Sequence, residues 1–282
     1  MHDGDGGPLV DRRQVPRTPR TGAGEALLLP IMISLKGKRA LVTGGSRGIG
    51  GATSLMLAEC GADVVVHYRT RSDDAEAMAT GLRTRGVRSL ALAAELSDRA
   101  AVDGMCAQIA QAWGGLDIFV GNAGIWPVED VPVLNMSDER WARTMAENID
   151  GMFFSTRSAI RLMGDGGRVV LVSSTAGQRG ESMHADYAAS KGAMISFTKS
   201  LAVELAPRGI TVNSVAPGWV DTEMCEGAFA DGGRERIGRT IPVGRVASPA
   251  DIAGPIVFLC APQARHVTGE ILNVNGGSVM CG

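Results

Sequence analysis

Residues 39 to 52 read "RALVTGGSRGIGGA", and this stretch decides the fold. A short apolar run typical of a strand leads into a group of glycines, and the helical pattern "TSLMLAECG" follows at once. Glycines are needed at such a turn because the backbone bends tightly and approaches a pyrophosphate, which the amide N–H groups of a helix N-terminus stabilise. Gly44, Gly48 and Gly50 depart from the general G-x-G-x-x-G spacing, and glycines that serve packing alone are an alternative. Their position after the first strand favours a nucleotide-binding turn.

The same alternation of strand and helix continues along the chain. Apolar runs typical of strands, such as "ADVVVHY", "LDIFVGNAG", "RVVLVSS" and "ITVNSVAPG", are separated by helical stretches. This order predicts an α/β fold: a doubly wound, Rossmann-like parallel sheet of about seven strands with helices on both faces. We predict one domain over residues 35–282. Residues 1–34, rich in Gly, Pro and Arg and without a period, are predicted to be a flexible N-terminal extension.

Composition narrows the classes of protein to which the chain could belong. Net charge is -2 and the 28 basic residues are spread out, so we expect neither a nucleic-acid nor a membrane partner. The five cysteines include no CxxC pair and only four histidines accompany them, so we expect no metal and a reducing, cytoplasmic location. No apolar run approaches the roughly 20 residues of a membrane span.

The end of the second predicted strand bears on the choice of dinucleotide. An acidic residue there would hold the ribose 2'-hydroxyl of NAD. This chain has Tyr68 at that point, followed by Arg69 and Arg71, and Arg47 lies inside the glycine loop. Guanidinium groups bind phosphate well, so the pattern predicts NADP as the cofactor. The alternative is that these arginines are solvated loop charges.

A second chemical pattern is the pair Tyr187 and Lys191 in "YAASK", which contains one of only two tyrosines in the chain. Residues four apart lie on the same face of a helix, so the phenol and the ammonium can lie close together. By itself the pair favours an ordinary helix surface over a catalytic role.

Six motifs follow one another in a familiar order. They are "TGGSRGIG" at 43–50, "NAG" at 122–124, "NIDG" at 148–151, "SS" at 173–174, "YAASK" at 187–191 and "PGWVDT" at 217–222. Over residues 36–282 the chain resembles the classical short-chain dehydrogenase/reductase family. The resemblance implies an NADP-dependent enzyme that interconverts a carbonyl and a secondary alcohol by hydride transfer.

The resemblance also implies a catalytic tetrad of Asn148, Ser174, Tyr187 and Lys191. Tyr187 would donate the proton, and Lys191 with an oxidised nicotinamide would lower its pKa from the reference value of about 10. Ser174 would orient the carbonyl and stabilise its developing charge. Ser174 is preferred to Ser173 because of its spacing from Tyr187 in similar enzymes. Lys191 would also bind the nicotinamide ribose, and Asn148 would hold a water that connects Lys191 to solvent.

The glycine loop and the resemblance together predict a set of cofactor contacts. The residues are Gly44, Ser46, Arg47, Gly48, Ile49, Gly50, Tyr68, Arg69, Arg71, Glu95, Leu96, Asn122, Ala123, Gly124, Tyr187, Lys191, Pro217, Gly218, Val220 and Thr222. Two positions depart from the family pattern. Gly121 stands where Asn is more frequent, and Glu95 stands where an Asp commonly contacts adenine.

The pattern is closest to that of 3-oxoacyl-[acyl-carrier-protein] reductases, but Asp165 stands where such enzymes carry a basic residue for the acidic carrier. Residues 223–247 would cover the substrate, and Trp126, Glu181, Met183, His184 and Trp219 are candidates for the pocket wall. A small ketone, a 3-oxoacyl thioester and a sugar or polyol remain alternative small-molecule substrates. Similar proteins are homotetramers or dimers, so we expect a homo-oligomer.

Two alternatives to a classical short-chain dehydrogenase/reductase enzyme are considered. The extended, epimerase-like branch shares Y-x-x-x-K, but its glycine loop has a different spacing and its chains are longer. A non-catalytic NADP-binding regulator would typically lack the Tyr or the Lys, whereas this chain has all four tetrad positions.

Overall fold

The computed structural model of the chain describes residues 33–281. The predicted N-terminal extension therefore lies outside the described residues, except for its last two positions. Seven strands form one sheet, in which every pair of neighbouring strands is parallel. The strands are β1 (Arg39–Val42), β2 (Asp63–Tyr68), β3 (Ser89–Ala93), β4 (Leu116–Gly121), β5 (Met163–Val172), β6 (Thr211–Pro217) and β7 (Ile271–Val274). Their spatial order is β3-β2-β1-β4-β5-β6-β7, which confirms the predicted doubly wound fold.

Helices cover both faces of the sheet. They are α1 (Gly48–Glu59), α2 (Ser72–Arg83), α3 (Arg99–Trp113), α4 (Asp138–Met145), α5 (Gly151–Leu162), α6 (Thr175–Arg179), α7 (Ala185–Leu205), α8 (Glu226–Phe229), α9 (Gly233–Thr240) and α10 (Pro249–Cys260). No helix in residues 33–281 is long and apolar enough to cross a membrane.

Alternating strand residues supply two apolar cores, one on each face. Ala40 and Val42 of β1 pack with residues of α1, α2 and α10, whereas Leu41 packs on the opposite face with residues of α3, α5 and α7. Successive side chains of a strand point to opposite faces, so a sheet buried on both sides needs apolar residues at every position. This requirement explains the unbroken apolar runs of the sequence.

The adjacency of β1 and β4 determines where a site can form. The chain order reverses between these two strands, and ligands of open α/β sheets bind in the crevice at the carboxyl ends of the strands beside such a switch point. The glycine loop follows β1, and "NAG" follows β4. Both loops therefore lie at this crevice.

The chain between β4 and β5 contains a nearly continuous helical path. A π-helical turn, Ala146–Asp150, joins α4 directly to α5. Asn148 lies in this turn, and its side chain bonds both the N–H and the C=O of Ile125. Such turns are frequent at functional sites, and here the extra residue accompanies a polar side chain that is fully buried.

Gly121 at the end of β4 is required by packing. A Cβ at this position would lie 2.7 Å from Leu171 Cδ2 and 3.1 Å from the ring of Phe119. Both neighbours are completely buried, so the sheet here is braced by apolar contacts where the family more often has an Asn.

Candidate active site

The glycine loop has a shape that only glycine can adopt at two of its predicted positions. Gly44 and Gly48 have φ values of +60° and +52°, in the left-handed region. At Gly50 a Cβ would lie 2.1 Å from the carbonyl oxygen of Gly44. No side chain in the described part of the chain caps the N-terminus of α1, so its first amide groups can receive a pyrophosphate.

Three neighbours hold this loop in place. Asn122 donates through Nδ2 to Thr43 O at 3.0 Å and to Gly44 O at 3.3 Å, and the amides of Asn122 and Ala123 both donate to Thr43 Oγ1. His67 Nδ1 accepts from the Gly44 amide at 3.1 Å, and its Nε2 faces Ala94 O. Burial lowers the pKa of His67, in keeping with a neutral ring that accepts at Nδ1. The sequence analysis missed His67, although it stands one residue before Tyr68 at the end of an apolar strand.

The three arginines predicted to bind the 2'-phosphate lie at this end of the site, each paired with a carboxylate. Arg47 and Arg71 both contact Oε2 of Glu223, Arg71 at 2.9 Å. Arg69 contacts both carboxylate oxygens of Glu147 at 2.6 Å and lies 3.8 Å from Glu95. One carboxylate thus already occupies a point shared by two guanidinium groups. The same two guanidinium groups suit a phosphate in place of this carboxylate.

Glu95, which stands where the family commonly has an Asp that contacts adenine, makes hydrogen bonds with a near neighbour in the chain. Its Oε1 accepts from the amide and the hydroxyl of Ser97, at 3.2 and 3.0 Å. Leu96 packs in the apolar core, and Tyr68 and Ile49 pack at the margin of the other core. The remaining predicted contacts lie at the carboxyl ends of β1, β4 and β6: Pro217 is the last residue of β6, and Ser46, Gly124, Gly218, Val220 and Thr222 follow these strands.

Tyr187 and Ser174 are brought together at the ends of β5 and α7. Ser174 precedes α6 and its Oγ accepts from the Ala176 amide at 3.1 Å. Burial raises the pKa of Tyr187 to about 12, while a hydrogen bond from Ser174 acts in the lowering direction and the charge of Glu181 in the raising direction. Ser173 has a different partner: its hydroxyl donates to Lys191 O at 2.8 Å. The structure therefore places Ser174, rather than Ser173, at the phenol.

Lys191 does not lower the pKa of Tyr187 in this structure. Its Nζ lies 5.7 Å from the centroid of the Tyr187 ring and donates to Val172 O at 2.8 Å. Burial lowers the pKa of Lys191 itself to about 8. The shift of Tyr187 thus runs opposite to the one that the sequence predicts for the enzyme with its oxidised cofactor, because desolvation of the phenol dominates.

Asn148 is linked to α7 through Ser190. Its Nδ2 donates to Ser190 Oγ at 3.0 Å, and Ser190 donates in turn to Tyr187 O at 2.7 Å. A Cβ at Gly124 would lie 2.9 Å from Asn148 Oδ1 and 3.5 Å from Lys191 Nζ. Glycine at this position therefore leaves space beside the polar ends of Asn148 and Lys191. The four predicted catalytic residues therefore lie in one cluster. Ser190 was missed by the sequence analysis, since a lone serine in a helix carries no distinctive signal.

A buried ion pair fixes the start of α7. Asp186, completely buried, accepts from Arg140 Nε at 3.1 Å and from Thr144 Oγ1 at 2.8 Å, both on α4. Burial alone would raise the pKa of Asp186, but the hydrogen bonds from Arg140 and Thr144 outweigh it and the pKa is lowered. Because Asp186 directly precedes Tyr187, this contact positions the phenol.

We expect Gly177→Ala to destabilise the fold and disturb Lys191. A Cβ at Gly177 in α6 would lie 2.5 Å from Lys191 C and 2.7 Å from Gly192 N, so the backbone of α7 would have to move. Overpacking of this kind costs about 1–3 kcal/mol. Chemical denaturation should show this loss, together with a lower kcat. The control is Gly104→Ala in α3, where a Cβ meets nothing within 4 Å and should be neutral or stabilising. Equal behaviour of the two variants would contradict the prediction.

The predicted pocket wall borders Tyr187. Trp126, His184 and Trp219 gather there, and Met183 is exposed with a positive φ of +66°. Glu181 pairs with Arg179 at 2.9 Å. The covering segment 223–247 contains α8 and α9, and Arg234 of α9 contacts Asp221 at 2.6 Å. Among residues 33–281 no group of three or more His, Cys, Asp or Glu could hold a metal ion.

Comparison with known proteins identifies the family of the chain. The family described as enoyl-(acyl carrier protein) reductase matches residues 44–279. A 3-oxoacyl-[acyl-carrier-protein] reductase of Synechocystis sp. is 39% identical over 252 residues, which are 88% of this chain and 100% of the relative.

Two solved structures extend the comparison. A short-chain dehydrogenase from Burkholderia cenocepacia in complex with NADP has a TM-score of 0.80 at 38% identity, covering 86% of this chain and 98% of that one. A short-chain dehydrogenase/reductase from Brucella melitensis, described as a glucose/ribitol dehydrogenase, has a TM-score of 0.83 at 33% identity, covering 89% and 100%. The chain therefore belongs to the short-chain dehydrogenase/reductase family of oxidoreductases, as its six motifs predict.

Proposed function

We propose that this protein is an NADPH-dependent reductase that converts the carbonyl of a ketone or a 3-oxoacyl group into a secondary alcohol. The observation that carries the proposal is the cluster of Ser174, Tyr187, Lys191 and Asn148 beside the glycine loop. The names of the relatives, a 3-oxoacyl reductase and an NADP complex, support the reaction type and the cofactor.

Each side chain of the cluster has a role that follows from its environment. When bound, NADPH supplies the hydride for the carbonyl carbon. Ser174 donates a hydrogen bond to the carbonyl oxygen and stabilises the charge that develops on it. Tyr187 keeps its proton at neutral pH because its pKa is about 12 in the ligand-free chain, and it passes that proton to the same oxygen. Lys191 binds the nicotinamide ribose. Asn148 holds a water that connects Lys191 to solvent, and the proton of Tyr187 is replaced by this route.

The residues near β5 bear on carrier-protein docking. Arg208 could contact an acidic carrier, but its Nε lies 3.6 Å from Asp165 Oδ1, the residue that stands where a basic one is expected. This pairing favours a free ketone or thioester over a carrier-bound one. The name of the Brucella relative supports a second candidate substrate, a sugar or polyol that is oxidised in the reverse direction.

The proposal is tested by NADPH oxidation against a panel of ketones, 3-oxoacyl thioesters and, in the reverse direction with NADP, polyols. We expect turnover of at least one carbonyl class and a clear preference for NADPH over NADH. NADPH binding without turnover of any compound would favour the non-catalytic regulator. A preference for NADH would contradict the assignment of the cofactor.

The rate should depend on the protonation of Lys191. Because burial lowers its pKa to about 8, the ammonium predominates below that pH and the neutral amine above it. We expect kcat/KM for NADPH, which reports the free enzyme, to be constant from about pH 6 to 7.5 and to fall above about pH 8. Lys191→Arg keeps its charge at higher pH, so its profile should remain flat there even with a lower rate. A fall at the same pH in both enzymes would contradict this role.

We further propose that residues 35–282 form the catalytic domain of a cytoplasmic homo-oligomer, a tetramer or dimer, that works without a metal ion. The family resemblance supports the assembly. The cysteine pattern supports a reducing compartment, since the five cysteines are free thiols in the structure.

A further inference from the structure

The substrate side of Tyr187 is bordered by an aromatic wall, which we define as Trp126, Trp219 and Phe229. Trp126 follows "NAG" after β4, Trp219 follows β6, and Phe229 ends α8. The chain has only four tryptophans, and two of them lie in this wall. Two loops and a short helix thus bring large flat side chains to one place, which random surface composition does not explain.

The geometry of the aromatic wall extends outward from the catalytic phenol. Trp126 meets Tyr187 edge to face, with ring centroids 4.6 Å apart and an interplanar angle of 80°. Trp219 lies 6.4 Å from Trp126, and Phe229 lies 6.0 Å from Trp219. His184 stacks on Trp126 at 4.0 Å and 16°, which supports the indole from one side.

The aromatic wall is available to a ligand. Trp126, Trp219 and Phe229 are each only partly buried, and no residue in the described part of the chain stacks on Phe229 beyond Trp219. Aromatic faces and edges prefer other rings in offset or edge-to-face contact, with a gain beyond that of area burial. A planar ring attached to the carbonyl would make such contacts while its oxygen faces Tyr187.

Carboxylates border the aromatic wall on two sides. Asp130 lies 3.7 Å from His184 Nδ1, next to the stacked Trp126, and is exposed. Glu181 lies close enough to Tyr187 for its charge to act on the phenol. Glu181 is paired with Arg179 at 2.9 Å, so the exposed carboxylate of Asp130 is the charge that disfavours an anionic substrate, including the phosphate-bearing arm of a coenzyme A or carrier thioester.

We propose that the substrate is an uncharged ketone whose carbonyl is attached to a planar aromatic or conjugated ring, bound against the aromatic wall. This inference rests on the proposed reductase function and narrows its substrate class. An aryl ketone is intrinsically less electrophilic than a saturated one, so a preference for it has to come from binding contacts.

The test compares matched substrates with NADPH: acetophenone against cyclohexyl methyl ketone, methyl 4-acetylbenzoate against 4-acetylbenzoate, and acetoacetyl-CoA. We expect kcat/KM to be about tenfold higher for the aryl member of the first pair and higher for the neutral ester of the second. Trp219→Leu should lower the aryl-to-cyclohexyl ratio about fivefold. The control Trp141→Leu, on the exposed side of α4, should leave that ratio unchanged.

The ratio is taken within each variant, so a partly unfolded preparation does not alter it. A ratio at or below one in the unaltered enzyme, or the same ratio in Trp219→Leu and Trp126→Leu as in the unaltered enzyme, would overturn the inference while leaving the reductase function intact. Faster reduction of acetoacetyl-CoA than of every ketone would do the same. Failure to reduce any carbonyl would overturn the proposed function and this inference with it.

Discussion

Tyr187→Phe is expected to lower kcat for carbonyl reduction by about three orders of magnitude, which lies within the range for loss of a general acid. The phenol is buried beside Ser174 and has a pKa of about 12, so it retains its proton throughout the neutral range. The substitution removes one oxygen and leaves the ring to pack against Trp126.

Two measurements separate a chemical loss from a structural one. The dissociation constant for NADPH and the midpoint of thermal unfolding should change little, since the ring and its contacts remain. Ser174→Ala is a matched comparison: it should lower kcat by about 10²-fold, because one hydrogen bond to the developing charge is lost. If Tyr187→Phe retained a tenth or more of the activity, Tyr187 would not be the proton donor.

The second large effect concerns the cofactor phosphate. We expect the double variant Arg47→Ala/Arg71→Ala to weaken NADPH binding about 100-fold and to change NADH binding little. Each guanidinium is about half exposed, so we assign the low end of a charged hydrogen bond, about 1.5 kcal/mol or roughly tenfold per residue. Fluorescence titration with both nucleotides measures the two dissociation constants. An equal loss for NADPH and NADH would place the arginines outside the phosphate site.

Substitution of Glu223 is a control that should change the affinity for NADPH in the opposite direction. Its carboxylate contacts both arginines, so it competes with a phosphate for them. Glu223→Gln should therefore tighten NADPH binding several-fold with little effect on NADH. Glu226→Gln, an exposed neighbour in α8, should change neither constant. Weaker NADPH binding in Glu223→Gln would show that the carboxylate supports the site.

Much of the fold was predictable because its signals are local. The apolar runs and the glycine turn require only neighbouring residues to recognise, and the runs quoted above coincide with β1, β2, β4, β5 and β6, although β5 begins earlier, at Met163. The motif order predicted the family. The π-helical turn at Asn148 was not predictable, because it is stabilised by hydrogen bonds to Ile125, which lies 23 residues away.

The candidate site was predictable only in its residue types. The spacing of Tyr187 and Lys191 predicted that they share one helix face. Their pKa values were not predictable, because burial sets both of them and the sequence does not report burial. Contacts between distant segments were also missed. The support of Gly44 by His67 and the pairing of Arg47 with Glu223 join residues 23 and 176 positions apart.

The sequence by itself determined the sheet, the turn that can receive a pyrophosphate, and the identity of the groups that can carry a proton, since each depends on backbone conformation or on side-chain chemistry. Only the tertiary structure decided which hydroxyl lies at the phenol, which carboxylates pair with the arginines, and which rings border Tyr187. Those outcomes depend on distances between loops that leave the sheet at the ends of different strands, and the crossover connections of a parallel sheet separate those loops widely along the chain.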